Sequence, residues 1–436
     1  MSKAKNPAPE SAQLTCPECQ ASITYYDVRG SSYYACAKCH TYFEYEDEGP
    51  PRVVGKYGNA PAEARLIPVG TLGQLQGRAC RVVGFVQRRE ATNSATWVEY
   101  QLYQPDTNDY AQLAQYDGHW MLVRPAKRGY NPQMNSIQLP EGKFHLYNRY
   151  QSRVLYAEGE FDWDIESEKN VNISEYVLPP LMLVQEQQAK RRDWYHAQHL
   201  EATEVASAFG LSADILPWRR GVGAVQPNPV QDWGHVRTLT ACALAALFLL
   251  QIALMVWRPS HAILQQTLTT QPDTTGTPGS SKVLVSTSFQ VNGPTALAFD
   301  LRVDVDNQWM ELPVSLVNEE TGQGFEFTKT IEYYHGTESG ESWTEGGFET
   351  GAVLSGVPAG RYHLNLYPIS ENLQTPNMQP LSITVGVTEQ PVLPSNFFIA
   401  AVLLLAFPAV QWFRRISHES SRWGASDFPA PPSIYS

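Results

Sequence analysis

The chain has 436 residues, enough for two or three domains with cores of their own, and 17% of them are charged, below the globular norm of about 25%. A formal net charge of −12 excludes a general nucleic-acid binder, because no basic surplus is available to neutralise phosphates. The excess is local: between residues 259 and 395, four basic side chains (Lys282, Arg302, Lys329, Arg361) stand against fifteen acidic ones, so nearly all the surplus charge lies in one stretch.

The start, MSKAKNPAPES, is polar and lacks an apolar h-region, so residues 1–13 read as a disordered tail rather than a secretory signal. Cys16-Pro-Glu-Cys19 and Cys36-Ala-Lys-Cys39 then form C-x2-C-x16-C-x2-C, the spacing of paired zinc knuckles. Each short turn aims two thiolates at one point, and two turns complete a tetrahedral sulfur shell. SITYYDV and SSYYAC alternate between them and turn through Arg29-Gly30-Ser31, which predicts a β-hairpin. A zinc ribbon over residues 14–46 has too little core to fold alone, so structural Zn2+ on Cys16, Cys19, Cys36 and Cys39 supplies the folding energy. Two disulfides and a redox pair are the competing readings. A reducing compartment disfavours the first, and the second copy of the motif disfavours the other. His40 reads as a solvent-facing neighbour that can replace a ligand, and Cys80 as a buried core thiol. Few basic residues accompany the ribbon, which is followed by the acidic run 44–48, so it offers nothing to nucleic acid.

From 66 to 211 the chain reads as a β-rich domain of short strands broken by Gly, Asn, Asp and Pro. ARLIPVG, ACRVVGFVQRR, TWVEYQLYQ, YAQLAQY and HWMLVRP are successive candidates, with turns at DTND and YDGH. Glu160 to Glu166 alternates: Phe161, Trp163 and Ile165 are expected to face the core, with Glu160, Asp162, Asp164 and Glu166 facing outward. Such a carboxylate row can bind a divalent cation, although a solvated strand face is the simpler reading. A helix is expected from Thr203 to Phe209. The residues with useful acid–base chemistry are Glu99, His119, Glu158 and Glu160, and His119, in a Gly-His-Trp turn, reads as a surface histidine. No G-x-S-x-G, Walker loop, G-x-G-x-x-G or H-E-x-x-H occurs, and Gly221-Val-Gly223 precedes no strand–turn–helix unit. The expectation is a chain that is not an enzyme.

An ordered set of residues in this region carries a resemblance. It comprises Leu72-Gly73…Gly77, Val82-Val83-Gly84, Trp97-x-Glu99-Tyr100-x-Leu102 and Gly118-His119-Trp120-Met121-Leu122. It continues through Tyr156-x-Glu158-Gly159-Glu160-Phe161-x-Trp163, Glu175-Tyr176-Val177-x-Pro179-Pro180, Glu186, Trp194 and Glu204-Val205…Ala208-Phe209. Over roughly residues 10–210 the pattern, with a zinc ribbon ahead of it, resembles the bacterial family called domain of unknown function 4178 (DUF4178). The family has no established activity, so the resemblance implies a β-rich fold and no catalytic residues. Its association with membrane-remodelling proteins implies a setting in envelope or membrane stress.

Residues 212–237 read as a linker, and the next stretch as a membrane span at 238–257: Thr238 to Val256 is uncharged, flanked by Trp233 and Trp257, with Cys242 inside it. A buried core helix is the competing reading, disfavoured because the segment is apolar on every face. A second span at 396–413, FFIAAVLLLAFPAVQWF with Pro408 as a kink, ends on Arg414-Arg415, and 414–436 reads as a tail. Arg219, Arg220 and Arg237 precede the first span and Arg414, Arg415 and Arg422 follow the second, whereas Arg258 stands alone on the other side. The positive-inside rule therefore predicts a two-pass inner-membrane protein with both termini cytoplasmic and 259–395 outside.

QPDTTGTPGSS reads as a flexible linker, after which KVLVSTSFQV, ALAFDLRVDVD, MELPVSLVNE, FEFTKTIEYYHG, GRYHLNLYPIS and LSITVGVTEQ predict an antiparallel β-sandwich at 282–390. Trp309, Tyr333, Tyr334 and Trp343 are candidates for a glycan-binding face, and Asp304 and Asp306 for calcium, against plain packing and solvated-strand readings. The sequence thus predicts a mainly β multidomain membrane protein, a scaffold or sensor with the lipid bilayer and cytoplasmic proteins as partners. An uncharacterised enzyme or small-molecule-binding module in the cytoplasmic domain is the alternative.

Overall fold

The computed structural model describes residues 11–46, 49–59, 65–167, 171–188, 191–271, 273, 281–370 and 379–432. Two compact units result, one made of residues 1–233 with 409–436 and the other of residues 234–408. Among the described residues the first unit holds fifteen strands: β1 (Ala12–Thr15), β2 (Ser22–Tyr25), β3 (Tyr33–Ala35), β4 (Thr41–Glu44), β5 (Arg52–Lys56), β6 (Leu72–Leu75), β7 (Arg78–Glu90), β8 (Thr96–Gln104), β9 (Asp109–Tyr116), β10 (His119–Pro125), β11 (Ser136–Leu139), β12 (Gly142–Phe161), β13 (Val171–Leu178), β14 (Leu181–Gln188) and β15 (Arg191–Leu200).

Eight of these strands close on themselves. In the order β7-β8-β9-β10-β15-β14-β13-β12 each pairs antiparallel with the next, and β12 returns to β7 to complete a barrel. Closure depends on the 20-residue length of β12, whose residues 145–152 pair with β13 while residues 153–159 pair with β7. Gly159, which pairs with Gly84 of β7 and Ala35 of β3, has φ of 95°, and a Cβ there would lie 2.2 Å from the Val83 carbonyl oxygen, so glycine is required. The turn between β9 and β10 uses Asp117 and Gly118 with positive φ at both, the mirror-image turn that suits the twist of a hairpin.

The two faces of the barrel differ. Phe85, Tyr100, Leu102, Leu113, Trp120 and Leu122 form one buried cluster covered by Val205 and Phe209 of helix α1 (Ala202–Phe209) and by Ile67. The register assigns Trp97, Glu99, Gln101, Gln112, Val123, Glu175 and Glu186 to the other face. That face is concave, since Trp97 on β8 meets Tyr150 on β12 at 5.6 Å across the intervening β7. The barrel interior therefore mixes charged and amide side chains with apolar ones such as Val123, Val177 and Met182, and its exterior is largely apolar, covered by the helix and loops.

Several expectations are corrected here. Residues 65–71 are not a strand; Ile67 is buried as a cover over the barrel, and the first strand of this region is β6. The alternation from Glu160 to Glu166 is not a strand either, because β12 ends at Phe161 and turns follow. Residues 1–10 of the expected tail lie outside the described residues, while residues 12–15 are β1. The segment expected as a linker and the expected tail both pack on the barrel: Val225 and Trp423 are buried with Tyr147, Val177, Met182 and Ala197. Arg422 is fully buried between them, donating from Nη1 to the carbonyls of Gly223 (2.7 Å) and Ala224 (2.8 Å) and from Nη2 to that of Gln226 (2.5 Å). Its Nε pairs with Glu419 at 3.0 Å.

Helices α2 (Trp233–Trp257) and α3 (Pro394–Gly424) carry the chain from one unit to the other and back. Both are long and apolar enough to cross a membrane. Among the described residues the second unit has ten strands: β16 (His261–Thr269), β17 (Leu284–Val285), β18 (Phe289–Val291), β19 (Thr295–Val303), β20 (Gln308–Asn318), β21 (Gly324–Glu338), β22 (Glu341–Gly347), β23 (Glu349–Val357), β24 (Gly360–Leu366) and β25 (Ser382–Glu389). They form two antiparallel sheets, β16-β25-β19-β23 and β17-β24-β20-β21-β22 with β18 also on β24. Leu297, Phe299 and Val385 from one sheet share a core with Met310, Leu312 and Leu364 from the other. The first strand begins at His261, well before residue 282, and the Lys282–Val291 run is two short strands instead of one. Most of the expected linker at 271–281 lies outside the described residues.

Candidate metal centre

The four motif cysteines converge. Cys16 and Cys19 sit on the turn between β1 and β2, and Cys36 and Cys39 on the turn between β3 and β4. The two turns repeat one pattern. Gln20 N–H donates to the Cys16 carbonyl at 3.1 Å and His40 N–H to the Cys36 carbonyl at 2.8 Å. Gln20 and His40 have φ of 59° and 62°. The positive φ explains the place of His40: it ends the second turn, and its ring meets Tyr156 at 5.4 Å instead of joining the thiols.

The Sγ atoms of Cys16 and Cys39 are 3.6 Å apart, those of Cys19 and Cys36 are 3.7 Å apart, and all four lie within 4.8 Å of one another. A tetrahedral ion with metal–sulfur bonds of about 2.3 Å separates its sulfurs by about 3.8 Å. The thiols therefore fit a bound metal ion, and none is in a disulfide. Burial raises the Cys16 thiol and pushes that of Cys36 up to about 12. Burial also raises Cys39, but the Thr41 hydroxyl and amide and the neighbouring thiols outweigh it and bring it down to about 6. A metal binds by displacing these protons.

The expected hairpin between the two motifs does not form. β2 pairs back onto β1, whereas β3 pairs forward onto β4 and sideways onto β12. The second half of the cysteine module is thus an extension of the barrel's own sheet, with Gly159, Glu160 and Phe161 opposite Ala35, Tyr34 and Tyr33. Among the described residues β1 and β2 form a separate two-stranded sheet. The metal position joins that small sheet to the large one. A carboxylate joins them as well: Glu160 is buried and accepts the N–H groups of Tyr26 (2.8 Å) and Asp27 (3.2 Å). Burial lifts Glu160 to about 7 even though these donors pull it down. Alternation placed Glu160 outward, so its role was missed, and the signal that reveals it is a backbone pairing between distant strands.

The other candidates do not gather. Glu99 pairs with Arg88 at 2.8 Å and accepts Trp97 Nε1–H at 2.7 Å. Glu158 is buried, pairs with Arg65 and accepts the Tyr156 hydroxyl at 2.8 Å. His119 is buried instead of exposed, its Nε2 lies 3.2 Å from the Arg220 carbonyl, and burial holds it below the usual histidine range. Gly223 packs on the His119 ring, where a Cβ would meet it at 2.7 Å. Asp164 accepts the Tyr42 hydroxyl and the Glu166 N–H, a turn-capping role in place of a carboxylate row. Cys80 is buried, as expected.

In the second unit, Asp306 lies 2.8 Å from His335 and Asp304 is 3.9 Å from Arg302, and the four-cysteine set is the metal-ligand group found among the described residues. Tyr333 and Tyr334 are neighbours on β21 and point to opposite faces. Tyr333 packs on Phe348 at 4.2 Å, so the four aromatics do not share one platform.

Comparison with known proteins adds a name for the barrel. Residues 68–202 match the family described as Domain of unknown function (DUF4178), a stretch that contains β6 to β15 and ends at the start of α1. The cysteine module lies ahead of the match. No curated protein matches the chain. Among solved structures, the infectious bursal disease virus Gt strain is 10% identical with a TM-score of 0.18, covering 87% of this chain and 70% of that one. The Gx strain is 9% identical with a TM-score of 0.19, covering 87% and 69%. Likenesses this weak carry no argument about fold or function.

Proposed function

We propose, taking a DUF4178 domain at residues 68–202 as the premise, that the chain is a non-enzymatic two-pass membrane scaffold or sensor. The observation that carries this reading is the path of the chain. It leaves one compact unit through a 25-residue apolar helix, forms a second unit, and returns through a 31-residue helix to the first. Twenty-five helical residues extend about 38 Å, against a bilayer core of about 30 Å. Leu249, Leu250, Phe398, Val402 and Leu403 are more than half exposed, which suits lipid and does not suit the core of a soluble protein.

In this reading the barrel unit is cytoplasmic, because Arg237, Arg414 and Arg415 lie within the two helices at the border of their apolar stretches on the barrel side, with Arg258 alone at the far side. The acidic second unit is then an extracytoplasmic β-sandwich. The four cysteines hold a structural Zn2+, whose closed thiolate shell has no open position for substrate. The metal fastens the β1–β2 sheet beside the barrel, and the cysteine module with the barrel presents a surface for cytoplasmic protein partners in envelope or membrane stress. Burial of Arg422 supports a mechanical link, since it locks the end of α3 to the segment that leads into α2.

The test is a Glu341→Cys variant on the exposed strand β22, treated in spheroplasts with a membrane-impermeant maleimide. Labelling of intact spheroplasts is the expected outcome. Labelling only after permeabilisation reverses the orientation, and release of the protein by alkaline carbonate overturns the membrane reading. Crosslinking in native membranes then tests the scaffold role, which fails if no specific partner joins the barrel unit.

A further inference from the structure

The cysteine module and the helix anchors leave one feature of the barrel unused. At one end the interior opens into a cavity of about 480 Å3, walled by β8, β9, β10, β13, β14 and β15 and rimmed by residues 162–167. That volume lies in the range that holds small molecules, and the mouth of a β-barrel is a common place for them. Its charge is one-sided. Asp162, Asp164, Glu186 and Asp193 line it, and Arg191, the one cationic side chain among its described lining residues, is paired with Asp193 at 2.6 Å. These carboxylates do not form a metal-ligand group among the described residues.

An independent observation points to a ligand. Gln101 is only 3% exposed and lines the same cavity, and its Oε1 is buried without a hydrogen-bond partner. Its amide orientation is set by the other end, because Nε2 donates to Asp162 Oδ1 at 3.3 Å. A buried acceptor left open is costly, so a partner with hydrogen to donate is favoured there. Carboxylates beside it also accept, and the walls include Trp163 and Tyr195, whose ring faces attract positive charge. Acceptors, negative charge and aromatic faces in one small cavity select the same chemistry.

We propose that this end of the barrel is a binding site for a small organic cation bearing an ammonium or guanidinium group, with Gln101 Oε1 and Glu186 receiving its N–H donors. The site stands independently of the membrane topology and of the metal centre.

The experiment is isothermal titration of the full-length protein in detergent micelles with argininamide, using glucose and succinate as neutral and anionic probes. Saturable binding of argininamide alone is expected, weakened at least tenfold by Glu186→Gln and by Gln101→Leu. Because either change can disturb the barrel, Asp162→Asn on the exposed rim is measured beside them, with bound metal and melting temperature as checks of folding, and an affinity loss is expected there too. Binding of glucose without argininamide would make this a sugar site and overturn the proposal. So would the absence of saturable argininamide binding, or an affinity unchanged in all three folded variants.

Discussion

Replacing Cys36 with serine tests how the cysteine module is held. Cys36 is buried, and its sulfur is one of four within 4.8 Å, so Cys36→Ser takes one thiolate from the set that could hold a metal ion. What remains to hold β1 and β2, apart from their own pairing, is the contact of Tyr25 with Tyr34 and the Tyr26 and Asp27 N–H bonds to Glu160, together weaker than a bound metal. The two strands pair with each other over four residue positions and join no other sheet among the described residues. Each net hydrogen bond contributes about 1 kcal/mol, which the entropy of ordering the hairpin largely cancels, and a lone two-stranded hairpin is marginal in water. A bound structural zinc contributes on the order of 10–16 kcal/mol. By contrast β3 and β4 belong to the barrel's sheet through β12 and keep that support. Hydrogen exchange read by mass spectrometry, with metal content measured in parallel, should therefore show a local loss. Amides in residues 12–25 lose at least two decades of protection, about 2.7 kcal/mol, while those of β8, β9 and β14 keep theirs. Metal-free Cys36→Ser protein that protects residues 12–25 like the wild type would refute the reasoning. Joint loss of barrel protection would also refute it, by showing that the module is not separable from the barrel.

Two further predictions follow from buried charge. Arg422→Met leaves the carbonyls of Gly223, Ala224 and Gln226 and the Glu419 carboxylate without their donor, a loss of about 3–5 kcal/mol that should lower the melting temperature and deprotect residues 223–230; Arg422→Lys, which lacks the planar fork, should fall between, and unchanged exchange would contradict the assignment. Inside the barrel, burial lifts Glu175 from an ordinary 4.5 to about 7, although Tyr150 donates to it at 2.8 Å. Between those values the folded chain holds a proton that the unfolded chain lacks, so this group's contribution to stability falls as pH rises through the window. Glu175→Gln should accordingly raise the melting temperature relative to wild type more at pH 8 than at pH 5, and an equal shift at both would remove Glu175 as the cause.

The features legible in the sequence are local ones. The C-x2-C spacing places two thiolates on one turn whatever surrounds it, and both turns form with the same hydrogen bonds. The strands at Thr96–Gln104 and His119–Pro125, and the helix before Gly210, follow from alternation and turn residues a few positions away. Glu160, His119 and Arg422 escape such a reading for a shared reason. Polarity in the sequence predicts exposure, yet each finds a hydrogen-bond partner far along the chain: Tyr26 and Asp27 for Glu160, Arg220 for His119, and the 223–226 carbonyls for Arg422. Burial of a charged or polar side chain depends on such partners, which no local pattern contains.

The sequence by itself determined the four-thiolate motif, the two apolar helices long enough for a membrane, the β character of both units and the acidic bias of the second. Tertiary structure alone decided that β2 turns back to β1 while β3 joins β12, that a 20-residue strand closes eight strands into a barrel, and that its interior opens at one end as a cavity lined by Gln101. The division has a physical origin. Residue spacing sets turns and amphipathic faces through contacts a few positions long, whereas strand pairing trades chain entropy against partners far along the chain, and several registers share the same alternation.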